Sequence, residues 1–155
     1  MKEIHVVIFQ LNNQIFGVEA SQVMEIKKYK DVAGFPKMPG YIHGIINLRG
    51  IEVPVVNLNK RFSLGESEIN KKTKILITQV GDKHIGFEVN DVYEIMKFTE
   101  DEIEAVPGGL YDSSTEYMKY VAKKGEKLIS VVDLPKVLKD REVSALFEIM
   151  AQKTA

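Results

Sequence analysis

Three histidines, His5, His43 and His84, are the side chains best suited to proton transfer or metal binding near neutral pH. None has a second histidine or a carboxylate at ligand spacing such as HExxH, so the sequence offers no metal centre. The absence of cysteine removes thiolate nucleophiles, cysteine zinc sites and disulfides together. A serine nucleophile would need a turn such as GxSxG, and a phosphate cradle would need GxxxxGK[ST]; neither pattern occurs, and Gly108-Gly109 leads into Leu110 rather than a lysine. The carboxylate pairs Asp101/Glu102 and Glu66/Glu68 fall in polar segments, where water keeps both members ionised. The expectation is a protein with no catalytic residue, metal or cofactor, whose work is binding.

The elements that must carry such binding are bounded by length and charge. At 155 residues the chain has room for about one domain, and its 45% hydrophobic and 28% charged residues are those of a globular protein. Lys and Arg number 21 against 22 Asp and Glu, a formal charge of -1, so no bulk positive field collects nucleic acid or anionic lipid. The first residues contain no signal peptide, and no window reaches the roughly 18 to 20 apolar residues of a membrane span. A soluble protein without direct membrane insertion is expected, and the lack of cysteine is compatible with a reducing cytosol without proving one.

Period-two patterning dominates. Strands are predicted at Ile4 to Leu11, Gln14 to Glu19, Val23 to Tyr29, Gly44 to Leu48, Ile51 to Leu58, Lys74 to Val80, Lys83 to Val89, Val92 to Phe98, Glu116 to Lys123 and Leu128 to Asp133. Val143, Leu146, Phe147 and Met150 recur on one helical face and predict a C-terminal amphipathic helix over 140–152. Long connectors run over Lys30 to Tyr41, Ser63 to Lys72 and Thr99 to Ser114.

The chain repeats itself. A shift of 69 residues aligns Gln10 to Lys28 with Gln79 to Lys97, with seven identities in nineteen positions, among them Gly17/Gly86, Glu19/Glu88, Val23/Val92 and Ile26/Ile95. Roughly one identity is expected from average composition. Val53 to Leu58 resembles Ile129 to Leu134 at a shift of 76. Two related units of about five strands follow, each curling to protect its edges. The chain is expected to be one domain over 1–155, with a first barrel over 14–72, a second over 73–133 and strand exchange at the N-terminus. Gly17 and Gly86, inside regular strands, imply a bend, a bulge or a close approach, and Pro54 implies that its strand is an edge or is bulged there.

Without a reaction centre, apolar surface points to a partner. Ala20, Val23 and Ile26, with Val89, Val92 and Ile95 in the repeat, occupy matching faces beside a groove that would take an amphipathic helix. Ordinary barrel core accounts for the same periodicity equally well.

The segment from His43 to Leu58, with Gly44, Asn47-Leu48-Arg49-Gly50 and Val53-Pro54-Val55-Val56-Asn57-Leu58, resembles the signature of the CheW family of chemotaxis coupling proteins. The resemblance runs from about Glu3 to Met150 and takes in Phe16-Gly17-Val18 and Val23-Met24-Glu25-Ile26. It implies an all-β fold with a C-terminal helix, built as two intertwined five-stranded SH3-like β-barrels related by internal duplication. It also implies a non-catalytic adaptor between the cytoplasmic tip of methyl-accepting chemoreceptors and the regulatory domain of the chemotaxis histidine kinase, cytoplasmic and associated with membrane-bound receptor arrays through these partners. On that basis a receptor helix would lie against Ala20, Val23, Ile26, Val89 and Val92, with Arg49 as a polar anchor that lysine would not replace. A brace within the first barrel is the competing role for Arg49. Glu25, Gly44, Asn47, Leu48 and Gly50 would bind the kinase or shape the motif's turns. The second-barrel loop departs from relatives that carry an aromatic after its proline, since Pro107-Gly108-Gly109 precedes Leu110 and Tyr111, the expected second-interface residues. The alternatives are an adaptor of a non-flagellar pathway, a nucleic-acid-binding small barrel, for which the balanced charge is unfavourable, and an enzyme of unspecified substrate.

Overall fold

A computed structural model describes residues 2–106 and 117–152. In chain order the strands are β1 (Glu3–Leu11), β2 (Gln14–Glu19), β3 (Glu25–Lys28), β4 (Ile42–Leu48), β5 (Ile51–Asn57), β6 (Lys74–Val80), β7 (Lys83–Val89), β8 (Asp91–Thr99), β9 (Ile103–Glu104), β10 (Met118–Lys124) and β11 (Lys127–Val132). A one-turn helix, α1 (Leu58–Arg61), follows β5, and the C-terminal helix is α2 (Asp140–Gln152). The mostly-β body with a C-terminal helix is therefore present. The strand expected from Val23 is shorter, because Ala20–Gln22 forms a 3₁₀ turn that redirects the chain before β3.

The strands form two curled sheets. One has the order β8-β1-β2-β11-β10-β9, the other β3-β6-β7-β5-β4. The sheet boundaries do not follow the division into 14–72 and 73–133. The first two strands of each repeat join the later strands of the other: β1 and β2 share a sheet with β8, β9, β10 and β11, while β6 and β7 share one with β3, β4 and β5. The exchange thus involves the first two strands of each repeat and is not confined to the N-terminus. Each sheet joins the repeats twice, by an antiparallel ladder, β1 with β8 or β3 with β6, and by a short parallel one, Phe16–Val18 beside Ser130–Val132 or Gly86–Glu88 beside Val55–Asn57. Because the repeats carry the same apolar pattern, pairing between them satisfies that pattern as well as pairing within them would.

This interlocking makes three cores. Val6, Ile8, Phe98, Ile129 and Val131 fill the first sheet's curl, and Ile46, Val53, Val55, Ile75 and Ile77 fill the second's. Between the sheets lies a larger cluster that includes Val7, Phe9, Leu76, Phe87, Val89, Leu134 and Leu146. Strands such as β1 are buried on both faces, which is why they read as continuous apolar runs. The seam glycines are required by close approach. A Cβ at Gly17 would lie 2.5 Å from Val6 Cγ1, and one at Gly86 would lie 2.7 Å from Ile75 Cγ2. Pro54, by contrast, sits in an internal strand, and the bulge beside it belongs to β4, opposite Val55 and Val56. Ile45, its cross-strand neighbour, exchanges both backbone hydrogen bonds with Ala33, at 2.8 and 2.9 Å. Pro54 therefore faces a non-bonded pair on β4, and the β7 ladder begins only at Val55, so no ladder donor is lost.

The helix α2 lies over the central cluster with Leu146 and Met150 buried and Val143 and Phe147 packed beside them. Its N-terminus is clamped by α1. Arg61 Nη1 and Nη2 donate to the two oxygens of Glu142 at 3.0 and 2.7 Å, and Lys139 N–H donates to Glu142 Oε1 at 2.8 Å. Burial alone would raise the Glu142 carboxyl. The Arg61 hydrogen bond, the Lys139 amide and the Arg61 charge outweigh it and hold the carboxyl below its ordinary range.

Candidate functional site

The Asn47-Leu48-Arg49-Gly50 motif is the β4–β5 hairpin turn. Arg49 and Gly50 both take positive φ, 51° and 89°, the combination a tight two-residue hairpin needs, and Asn47 Oδ1 accepts the Gly50 N–H at 2.8 Å. Asn47 and Gly50 thereby fix the backbone from which the Arg49 side chain, 71% exposed, projects. Arg49 Nη2 donates to Glu25 Oε2 at 3.2 Å, and Lys27 stands 3.7 Å from the same carboxylate. The hydrogen bond from Arg49 leads the effects holding the Glu25 carboxyl below its usual value. Arg49 and Glu25, expected to serve different partners, form one exposed ion pair between the hairpin turn and β3. Leu48 is core, and a Cβ on Gly44 would collide with the Ala33 carbonyl, so these two positions shape the fold.

The expected apolar groove residues divide. Ala20, Val23 and Val92 are half-buried against the central cluster where the chain passes between sheets. Ile26 stands apart on β3, 43% exposed. Val89 is 1% exposed and belongs to the central core, so it offers no surface to a partner. Ile95, 58% exposed, lies on β8. Leu110 and Tyr111 lie outside the described residues.

Two polar pairs escaped sequence reasoning. β4 carries an extra residue, His43, between Ile42 and Gly44, and β10 carries Lys119 between Met118 and Tyr120, so each bulge aims a basic side chain across its sheet. His43 Nδ1 meets Glu88 Oε1 at 2.5 Å, and Lys119 Nζ meets Glu19 Oε1 at 2.6 Å. Tyr120 O–H also donates to Glu19, at 3.1 Å. Glu88 is 3% exposed; burial raises its carboxyl, and the His43 charge and hydrogen bond only partly oppose that. The shift of 76 that pairs Val53 with Ile129 also pairs His43 with Lys119, a signal that was available in the sequence.

A second missed feature is an apolar face on the first sheet. Ile15, Tyr93 and Leu128, 39%, 50% and 62% exposed, line a groove of about 330 Å³ floored by Ile8, Met96 and Ile129.

Residues 5–142 match the family model described as the CheW-like domain. Among curated proteins, the chain is similar to the chemotaxis protein CheW of Bacillus subtilis, 32% identical over 89% of this chain and 88% of that protein. It is also similar to the chemotaxis protein CheW of Treponema pallidum, 28% identical over 94% and 88%. The crystal structure of the scaffolding protein TtCheW from Thermoanaerobacter tengcongensis superposes with a TM-score of 0.83 at 29% identity, covering 91% of this chain and 96% of that one. The chain therefore belongs to the CheW-like family, and its role is that of a non-catalytic scaffold in chemotaxis signalling.

Proposed function

We propose that this scaffold joins the cytoplasmic tip of a methyl-accepting chemoreceptor to the regulatory domain of the chemotaxis histidine kinase. The observation that carries the reading is the exposed Arg49 guanidinium, held by Glu25 on a turn whose backbone Asn47 and Gly50 fix. A guanidinium so oriented is prepared to take a second carboxylate or a carbonyl. The half-buried Ala20, Val23 and Val92 supply apolar contacts for a receptor helix where the two sheets meet. The apolar face of Ile15, Tyr93 and Leu128, on the other sheet from Arg49, is suited to the kinase domain. A bridge needs separate surfaces of this kind.

Co-sedimentation with receptor tips and a kinase regulatory domain, separately and together, tests the reading. Ternary recovery greater than in either binary mixture is expected. Arg49→Ala is expected to weaken receptor-dependent control of the kinase in a reconstituted complex while leaving the circular dichroism spectrum unchanged. Val92→Asp tests the apolar contacts: loss of receptor binding with an unchanged melting temperature supports them, whereas retained binding with a lowered one assigns Val92 to the core.

A further inference from the structure

β8 and β10 of the first sheet correspond to β3 and β4, the end strands of the second; in the first sheet the short β9 pairs along β10 and is itself the end strand. The gap between the corresponding strands is treated differently. In the first sheet, Lys124 of β10 reaches across, donates to the Lys97 carbonyl of β8 at 2.5 Å and covers the Phe98 ring at 5.2 Å. In the second, the gap is an open groove of about 430 Å³ between Glu25–Lys28 of β3 and Ile46–Asn47 of β4. Lys28 is the repeat equivalent of Lys97. Tyr29 N–H bonds to the Thr73 carbonyl beside β6, so by strand alternation the Lys28 N–H and carbonyl face the groove. The Ala33 backbone already covers β4 at Ile45, which leaves β3 as the edge with pairing capacity.

Charge gathers at this edge although the whole chain is nearly neutral. β3 and its continuation supply Lys27, Lys28 and Lys30, and the approach to β6 supplies Lys71, Lys72 and Lys74. Lys28 and Lys74 are direct cross-strand partners, an arrangement of like charges that costs sheet stability. Lys74 turns its ammonium to the Lys72 carbonyl at 2.9 Å. Lys28, Lys30, Lys71 and Lys72 have no ion-pair partner among the described residues. The acidic side chains lining the groove are Glu25, already held by Arg49 and Lys27, and Asp31.

We infer that the open edge of β3 is a docking site for an acidic, extended segment of a partner protein, which pairs its backbone with Lys28 and sets its carboxylates among the surrounding lysines. The inference is independent of the receptor and kinase assignments, since it rests on the edge and its charge. Backbone pairing supplies attachment, and the lysines select the acidic sequence. A membrane or a nucleic acid would use the lysines but has no peptide backbone to pair with the edge.

The test is fluorescence anisotropy of the full chain with a short labelled peptide alternating Glu and Val. The comparison ligands are the same peptide N-methylated at alternate residues, a Lys-Val counterpart, and vesicles of phosphatidylglycerol and phosphatidylcholine. The Glu-Val peptide is expected to bind, and the N-methylated and Lys-Val peptides to bind about tenfold more weakly or not at all. Lys28→Glu with Lys72→Glu should weaken binding about tenfold, as should salt high enough to shorten the screening length to about 3 Å. This variant removes a like-charge pair, so it should melt no lower than the parent, which separates lost binding from lost folding. Equal binding of the N-methylated peptide, equal binding by the charge-reversed variant, absence of peptide binding, or binding to the vesicles alone would each overturn the inference.

Discussion

Glu19 and Glu88 occupy equivalent ends of the strands that form the two parallel seams, yet one meets a lysine and a tyrosine and the other a histidine. The first sheet fixes its seam with a permanent cation and closes its gap with Lys124. The second uses an imidazole and leaves its gap open beneath the Arg49–Glu25 pair. What the two sheets share, namely the seam glycine, the carboxylate and the bulge that aims a base, is what interlocking requires. The open gap and the Arg49–Glu25 pair, which set the second sheet apart, lie at its surface.

The most severe break in the shared plan is at the seam glycines. Gly17→Val and Gly86→Val should each cost about 3 kcal/mol by overpacking, read from urea unfolding. A large cost at one and none at the other would show that the seams are not mechanically equivalent. Next comes the clamp on α2. Glu142→Gln removes charge-assisted hydrogen bonds to Arg61 and should cost about 2 kcal/mol at neutral pH. Because the folded Glu142 carboxyl is held below its reference value of 4.5, its contribution is present above that pH and is lost as pH falls through the lowered value. Melting temperatures of parent and variant should therefore converge in acid.

Glu88 has the opposite sign. Its folded carboxyl is raised above 4.5, so the folded chain keeps a proton that the unfolded chain has already released. The stability contributed is complete below 4.5 and falls as pH rises through the raised value. Glu88→Gln should abolish that decline, with a change of about 1 kcal/mol, and a decline that persists would place its origin elsewhere. The smallest expected stability effect is at the exposed pair. Arg49→Ala should leave urea unfolding nearly unchanged, because both partners are solvated. A larger cost would turn the Arg49–Glu25 pair from a presented contact into a brace of the second sheet.

Much of the fold was legible because local signals agreed. The edges of β6 and β7 were readable to the residue, and the helix from the spacing of Val143, Leu146, Phe147 and Met150. The duplication was readable from identities such as Gly17/Gly86. Which repeat pairs with which was not, since β1 presents to β8 the same pattern that it would present to β3. Val89 was misplaced for a related reason: period-two alternation names two faces, and where both are buried it cannot say that either is open. The turn chemistry of Asn47 and Gly50 was visible in the motif, whereas the Arg49–Glu25 pair joins strands that sequence spacing alone does not bring together. Pro54 misled because its missing donor faces the β7 side of β5 ahead of Val55, where that ladder begins.

The interchange of strand pairs between repeats limits how the chain can be divided. Cut between Lys72 and Thr73, it would yield two fragments, neither of which owns a complete sheet, and each could fold only around the other. A protein made of a single repeat would have to assemble as two copies, its stability tied to its concentration. The polar crossover from Ser63 to Lys72 turns that bimolecular event into an intramolecular one, so the scaffold can remain whole at the dilution of a single molecule.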